Sequence, residues 1–295
     1  MVSGISFALA TALLWVGIGA VQGYGGRRHL NLALMQSASA VLMIGIYAIQ
    51  CTVTDSWSVP HGSILMIMPL AGAANLFTMV TMGKAMEHGP NGIVWALIQS
   101  ALVMPFTMGI LFFHVPCTPG RLAGLVIIVF SMIVMGVSAR RNDARSKGAK
   151  WILTTLEGFL AAGITQCLEN LPSYFVRGDM DAGVALRCIL YQVGTLIAFM
   201  FFYGKGKEAW RGLRPARWAI LFLTAVTFLS LLTLLWSLDA FAMCNLGAIG
   251  YPLVLGSSNI MFFIYTAIAL RERPKPAAVL GMLSGVAGIA MLILL

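Results

Sequence analysis

Residues Ala269–Leu292 read ALRERPKPAAVLGMLSGVAGIAML. The charges end at Lys275, and from Pro276 to Leu295 no charged side chain occurs. That run matches the ~20 apolar residues a helix needs to cross a hydrocarbon core. A break rich in Arg and Pro followed by an uninterrupted apolar run is the signature of a loop at a membrane surface leading into a spanning helix.

Working outward, runs of the same kind recur throughout the chain, at about 3–22, 30–50, 62–86, 91–114, 120–139, 151–171, 183–203, 217–238 and 246–270, with 276–295 as the tenth. The composition agrees. Of the 295 residues 59% are hydrophobic and only 10% are charged, with a mean hydropathy of +0.89, where a soluble domain carries roughly 25% charged residues. In lipid every backbone N–H and C=O has to be paired internally, which leaves helices or closed barrels. Barrel strands would alternate in polarity over segments of about 10 residues, and no such alternation is present. The reading is an all-α integral membrane protein with ten transmembrane helices. The gaps are too short to hold a soluble domain, so function has to reside in the bundle. The N-terminal MVSGISFALATALLW has no basic stretch before its apolar run, which argues against a cleaved signal peptide and makes it the first span.

Of the 19 Lys and Arg residues, all but Arg121, Arg177 and Arg187 fall in or beside the gaps that follow odd-numbered spans. By the positive-inside rule these gaps face the cytoplasm and both termini lie outside, in a cytoplasmic (inner) membrane. The net charge of +9 therefore reports topology and lipid headgroups rather than nucleic acid, for which no basic domain exists.

Two stretches match at an offset of 157 residues. Ala85 pairs with Ala242, Met86 with Met243, Ser100 with Ser257, Met104 with Met261, Pro119 with Pro276 and Gly124 with Gly281. Each copy is a long apolar helix, a Pro-containing break and a Gly-rich helix. The chain thus divides into a five-helix repeat at 1–139, a basic cytoplasmic linker at 140–150, and a second repeat at 151–295. Five is odd, so the second repeat inserts upside down. Inverted repeats are a recurring plan of secondary transporters, with the solute site near mid-depth between the halves.

The segment KAMEHGPNGIVWALIQSALVMPF (84–106), its counterpart through Leu238–Leu295 and the Arg-Glu-Arg-Pro break before the last helix resemble the drug/metabolite transporter superfamily (EamA-like proteins). Most members of that superfamily place their basic loops on the other face. The reversed bias, with Gly72-Ala73-Ala74-Asn75 and Glu157-Gly158-Phe159-Leu160-Ala161-Ala162-Gly163, is similar to the L-rhamnose transporter and glucose-uptake branch. That resemblance implies sugar uptake coupled to protons. Export of amino acids or of amphipathic or cationic drugs is the alternative within the class.

Polar residues inside a membrane are costly and are candidates for function. Asn75, near the centre of the third span, can donate and accept toward a hydroxylated solute. A helix–helix hydrogen bond is its plain structural use. Asn91, Trp95 and Gln99 follow one stripe of the fourth span, and an indole can stack on a sugar ring or an organic cation. Trp95 also sits where an interfacial aromatic would. The ninth span offers Tyr251, Ser258 and Asn259, the first Trp15, and the sixth Gln166. Two acids on the sixth span bear on coupling, since a carboxyl group in low dielectric exchanges its proton nearer neutral pH than one in water. Glu157 lies about 9 Å inside the cytoplasmic end, with no basic partner on a neighbouring span. Glu169 lies near the opposite end, at the depth of Arg187, so a Glu169–Arg187 ion pair is its plain structural reading. Glu87, His88, Glu272 and Asp239 read as solvated charges at helix ends.

The remaining features exclude other classes. His29, His61, His88 and His114 are scattered, no CxxC pair occurs among Cys51, Cys117, Cys167, Cys188 and Cys244, and no nucleotide-binding loop is present. Neither a metal nor a cofactor is expected, and enzymatic action on lipid-linked substrates is a remote reading. Cys51 and Cys117 fall in gaps on one face, which leaves a disulfide between them open. The expected partners are a small-molecule substrate and the bilayer. The GxxxG pattern of Gly281 and Gly285, echoed by Gly120 and Gly124, suits close packing within one chain or between two, so a homodimer through these helices also stays open.

Overall fold

The computed structural model describes residues 1–58, 61–89, 91–138, 150–175, 183–204, 213–269 and 275–295. The basic linker (apart from Lys150), Arg177 and Glu272 lie outside the described residues, as do the side chains of Asn91 and Lys150. The described chain is helical throughout: α1 (Val2–Arg27), α2 (Leu32–Thr54), α3 (Ile64–His88), α4 (Asn91–Gln99), α5 (Val103–Phe113), α6 (Pro119–Ser138), α7 (Lys150–Asn170), α8 (Val184–Phe202), α9 (Leu213–Met243), α10 (Gly250–Ala269) and α11 (Pro276–Leu294). Nine segments among the described residues are long and apolar enough to cross a membrane, and Pro119–Met135 within α6 adds a shorter apolar helix. The chain is a multi-pass membrane protein by this architecture.

Apolar side chains fill the core, as in a soluble protein, but they cover the outside as well. Leu13, Phe112, Phe130, Leu153, Phe201 and Leu283 are exposed on the outside, while Gln22, Ser39, Asn170, Arg187 and Asp239 are buried. An outer apolar belt of this kind fits hydrocarbon, which solvates Leu and Phe at no cost.

The fourth span departs from the sequence reading, which made it one helix. A 3₁₀ turn at Ser100–Leu102 separates α4 from α5. Its cause lies in Pro105. A proline cannot donate to the carbonyl four residues earlier, here that of Ala101, so the helix loses its regular bond at mid-span. The Ser100 hydroxyl adds to the break by donating to the Leu97 carbonyl at 2.6 Å. Elsewhere the helix ends are set locally. Asn31 caps α2 by accepting from the Leu34 N–H at 3.0 Å, and α2 and α5 stop at Asp55 and His114, each in the left-handed conformation.

The helices pack in a definite set of pairs: α3 on α7 and α8, α9 on α1 and α2, α1 on α10, α7 on α4 and α5, α2 on α8, and α6 on α11. Two of these contacts bring backbones together. A Cβ at Gly72 of α3 would overlap the Tyr191 carbonyl oxygen of α8, and one at Gly194 of α8 would overlap the Pro69 carbonyl oxygen of α3. The Thr195 hydroxyl donates to the Gly72 carbonyl across the same contact at 3.0 Å. Small residues that let backbones touch are how membrane helices gain packing without a hydrophobic driving force. The α6–α11 pair uses the same device. A Cβ at Gly124 would stand 2.8 Å from the Gly288 carbonyl oxygen, and one at Gly288 would stand 2.9 Å from that of Gly124. Gly281 and Gly285 face the side chains of Met135 and Ser131 of α6, and Gly120 faces that of Leu295. The glycine faces considered for a homodimer are therefore occupied within one chain.

The disulfide left open between Cys51 and Cys117 is not formed. Cys51 is buried on α2, while Cys117 is exposed beyond α5.

Candidate functional site

A partly open cavity of about 80 Å³ lies among α1, α2, α3, α4, α7, α8 and α9, enough for several waters. Its lining repeats a helical stripe on two helices. α7 contributes Ala162, Thr165, Gln166 and Glu169, and α9 contributes Thr227, Ser230, Leu231 and Leu234, each at i, i+3, i+4 and i+7. α3 adds Asn75, Thr78 and Met79, α4 adds Trp95 and Gln99, α1 adds Trp15 and Ile18, and α2 and α8 add Gln36 and Tyr191. The 3₁₀ turn begins immediately after Gln99, so the cavity touches a span that such a turn divides into two α-helices. Discontinuous helices of this kind are recurrent at solute sites in membrane transporters.

Trp95 forms one wall. It is 2% exposed and its indole stacks on Phe262 of α10, with ring centroids 5.0 Å apart and planes inclined by 17°. At the other end of the lining, the Glu169 carboxylate accepts a hydrogen bond from the Tyr251 hydroxyl, and Tyr191 lines the cavity with it. Three lining residues carry a buried polar atom with no hydrogen-bond partner in the described chain: Trp95 Nε1, Gln166 Oε1 and Thr227 Oγ1. Buried polar groups are nearly always satisfied, and leaving one bare costs about 1–3 kcal/mol. A donor, an acceptor and a hydroxyl left open around one cavity form a set that a polar solute or ordered water would complete. No Lys, Arg or His is among the lining residues.

The structure brings together Trp15, Asn75, Trp95, Gln99, Gln166 and Glu169 from the residues singled out in the sequence. Tyr251 is not in the lining but stands behind Glu169, and Ser258 and Asn259 are buried on α10 outside it. Glu157 is exposed on α7 and does not reach the cavity. Two turns above Glu157 would be residue 164, and Ile164 is likewise exposed. Glu157 thus shares the outward stripe of α7, while Glu169 shares the inward one.

The expected Glu169–Arg187 ion pair is replaced by a different pairing. Arg187 Nη1 donates to Asp239 Oδ2 at 2.7 Å, with both side chains fully buried. Asp239 was read as a solvated charge at a helix end. The sequence reading ended its span at 238, whereas α9 continues to Met243, which keeps Asp239 inside the bundle. Glu169 is left to Tyr251.

Sequence reasoning missed Gln36, Thr78, Thr165, Tyr191, Thr227 and Ser230 of the lining. Most helical Ser and Thr hydroxyls bond their own preceding turn, as Thr78 and Thr165 do to Ala74 and Ala161, and so give no signal of a site. The 227/230/231/234 stripe on α9 was available as a match to the stripe on α7.

The fold and the cavity together define a polytopic membrane protein with a cavity in its bundle, apolar over most of its surface and set with polar groups. No family model and no curated protein matches the chain. A solved structure described only as a crystal structure of a protein matches all of this chain and 97% of its own, with a TM-score of 0.69 at 14% identity. At that identity the likeness is one of fold.

Proposed function

We propose that this protein is a proton-coupled secondary transporter of the drug/metabolite transporter superfamily, carrying a small, uncharged, hydroxylated solute of the sugar class across the cytoplasmic membrane. The observation that carries the proposal is the convergence of amide, indole and hydroxyl groups from seven helices on one cavity, with three buried polar atoms left for a ligand. Indoles and amides are the groups that hold a sugar ring by stacking and by paired donors and acceptors. The absence of a cation from the lining speaks against amino acids, whose carboxylate would lie in low dielectric without a partner.

Alternating access between two inverted five-helix repeats, 1–139 and 151–295, is supported by the packing scheme. Exchange each span for its counterpart, and α3 on α7 becomes α9 on α1. Likewise α3 on α8 becomes α9 on α2, and α1 on α10 becomes α7 on α4 and α5. The α2–α8 and α6–α11 pairs map onto themselves. The basic loops then face the cytoplasm and both termini lie outside.

Glu169 is the proton site in this reading. It is the one carboxyl in the lining, and the Tyr251 hydroxyl that it accepts from can release it. The test is solute-driven proton flux in proteoliposomes with a pH-sensitive dye, comparing neutral sugars, amino acids and organic cations. Neutral sugars are expected to drive flux. Glu169→Gln is expected to abolish coupling and the pH dependence of uptake, while Glu157→Gln leaves both unchanged. Flux driven by amino acids or cations alone would overturn the solute class, and coupling that survives Glu169→Gln would remove Glu169 from the mechanism.

A further inference from the structure

The buried Arg187–Asp239 pair has no role in the cavity, yet it is expensive. Desolvating two charges costs more than their attraction returns unless the geometry is good, and intramembrane charges are retained where they do something. Here Arg187 Nε and Asp239 Oδ1 are also without partners. Arg187 reaches further, donating from Nη2 to Ser173 Oγ at 3.4 Å in the 3₁₀ turn that follows α7. The pair therefore ties the start of α8 to the end of α9 and to the end of α7. A second tie joins the same end of the bundle, where Asn170 Nδ2 donates to the Gly247 carbonyl, 3.4 Å away, just before α10. Following the chain back and forth, all four helix ends lie on the side away from Arg27 at the end of α1 and Lys84 near the end of α3.

Arg187 lies one turn before Tyr191 on α8, and Asn170 directly follows Glu169 on α7. The two ties thus fix the helices that present Tyr191, Tyr251 and Glu169 to one another. We propose that Arg187 and Asp239 are positioning residues forming a latch that holds this end of the cavity closed, with the Tyr191–Glu169–Tyr251 contact as its link to the cavity. The proposal rests on the transport reading of the cavity and adds what keeps one side shut. In alternating access this end must open, and opening it carries α9, packed on α1, away from α8, packed on α3, which parts the Arg187–Asp239 contact.

Native cysteines provide the readout. Cys188, beside Arg187, is fully buried, and Cys117, on the same side of the bundle, is exposed. The full chain in liposomes is treated with a membrane-impermeant maleimide from either side, and labelling is resolved by peptide mass. Cys188 labelling is normalised to that of Cys117. In the wild type Cys188 is expected to be protected. Asp239→Asn and Tyr251→Phe are each expected to raise its relative rate about tenfold, as a shift of population toward the open end would, and Asp239→Glu to restore protection. If Asp239→Asn gives no monodisperse protein, Tyr251→Phe decides alone, because it removes one hydroxyl and keeps the ring. An unchanged Cys188 rate in Tyr251→Phe overturns the latch. Sugar-driven flux with unchanged Cys188 labelling sinks the latch and leaves the transport reading standing. Absence of flux in the wild type, with Cys188 still released by the variants, sinks the transport reading and leaves the latch.

Discussion

A Gly72→Val variant is expected to give no monodisperse protein in detergent, and Gly194→Val likewise. At both positions the added carbon meets a carbonyl oxygen of the facing helix, not the mobile end of a side chain. Overpacking in a core commonly costs about 1–3 kcal/mol when side chains can move aside. Here α3 and α8 would have to separate along their whole contact, losing the Thr195–Gly72 hydrogen bond as well, so the cost lies at or beyond the top of that range. Gly45 supplies the control, because nothing stands within 4 Å of a Cβ built there. Gly45→Val should elute and melt like the wild type. A Gly72→Val protein with the wild-type melting midpoint would mean that α3 and α8 do not touch as described.

The second large effect concerns the buried ion pair. Asp239→Ala leaves the Arg187 guanidinium charged in the bundle without its counter-charge, and breaking a buried pair from one side typically costs about 3–5 kcal/mol. Replacing both partners by apolar residues of similar size is often neutral or stabilising. Arg187→Met with Asp239→Leu is therefore expected to recover most of the melting midpoint that Asp239→Ala loses. If the double variant is as unstable as the single, the pair contributes net stability of its own. If Asp239→Ala is silent, the two side chains are not paired in the membrane.

The architecture was legible because lipid permits so few solutions. Hydropathy and break residues located ten apolar segments, and the described helices fall where those segments do. What failed to show was one local break and whatever depends on two helices at once. Pro105 was visible, yet its effect at Ser100–Leu102 is a property of the local bond ladder that hydropathy does not weigh. Arg187 has an acid at similar depth on α7, and the sequence offers no reason to prefer Asp239 over Glu169. The choice is made by how α8 and α9 rotate against each other. For the cavity, chemistry carried further than position. Amides, indoles and an acid within apolar runs stand out, and Asn75, Trp95, Gln99, Gln166 and Glu169 were found by that rule. The same rule selected Glu157, because it is blind to which side of α7 a residue occupies. Thr227 and Ser230 escaped it, being hydroxyls of the kind most helices carry.

The glycine contact between α6 and α11 has a mechanical consequence. With Gly124 and Gly288 each lying against the other's carbonyl, the two helices cannot slide or roll past one another without a steric collision. They are the last helices of the two repeats, so in the proposed transport cycle a rocking of the α1–α9 pair against the α3–α8 pair would have this line as its axle. Displacement then grows with distance from the axle. Spin labels on the outer faces of α6 and α11 should keep one sharp separation whether solute is present or absent. Labels on α1 and α7, far from that line, should show the broadest and most solute-sensitive distances.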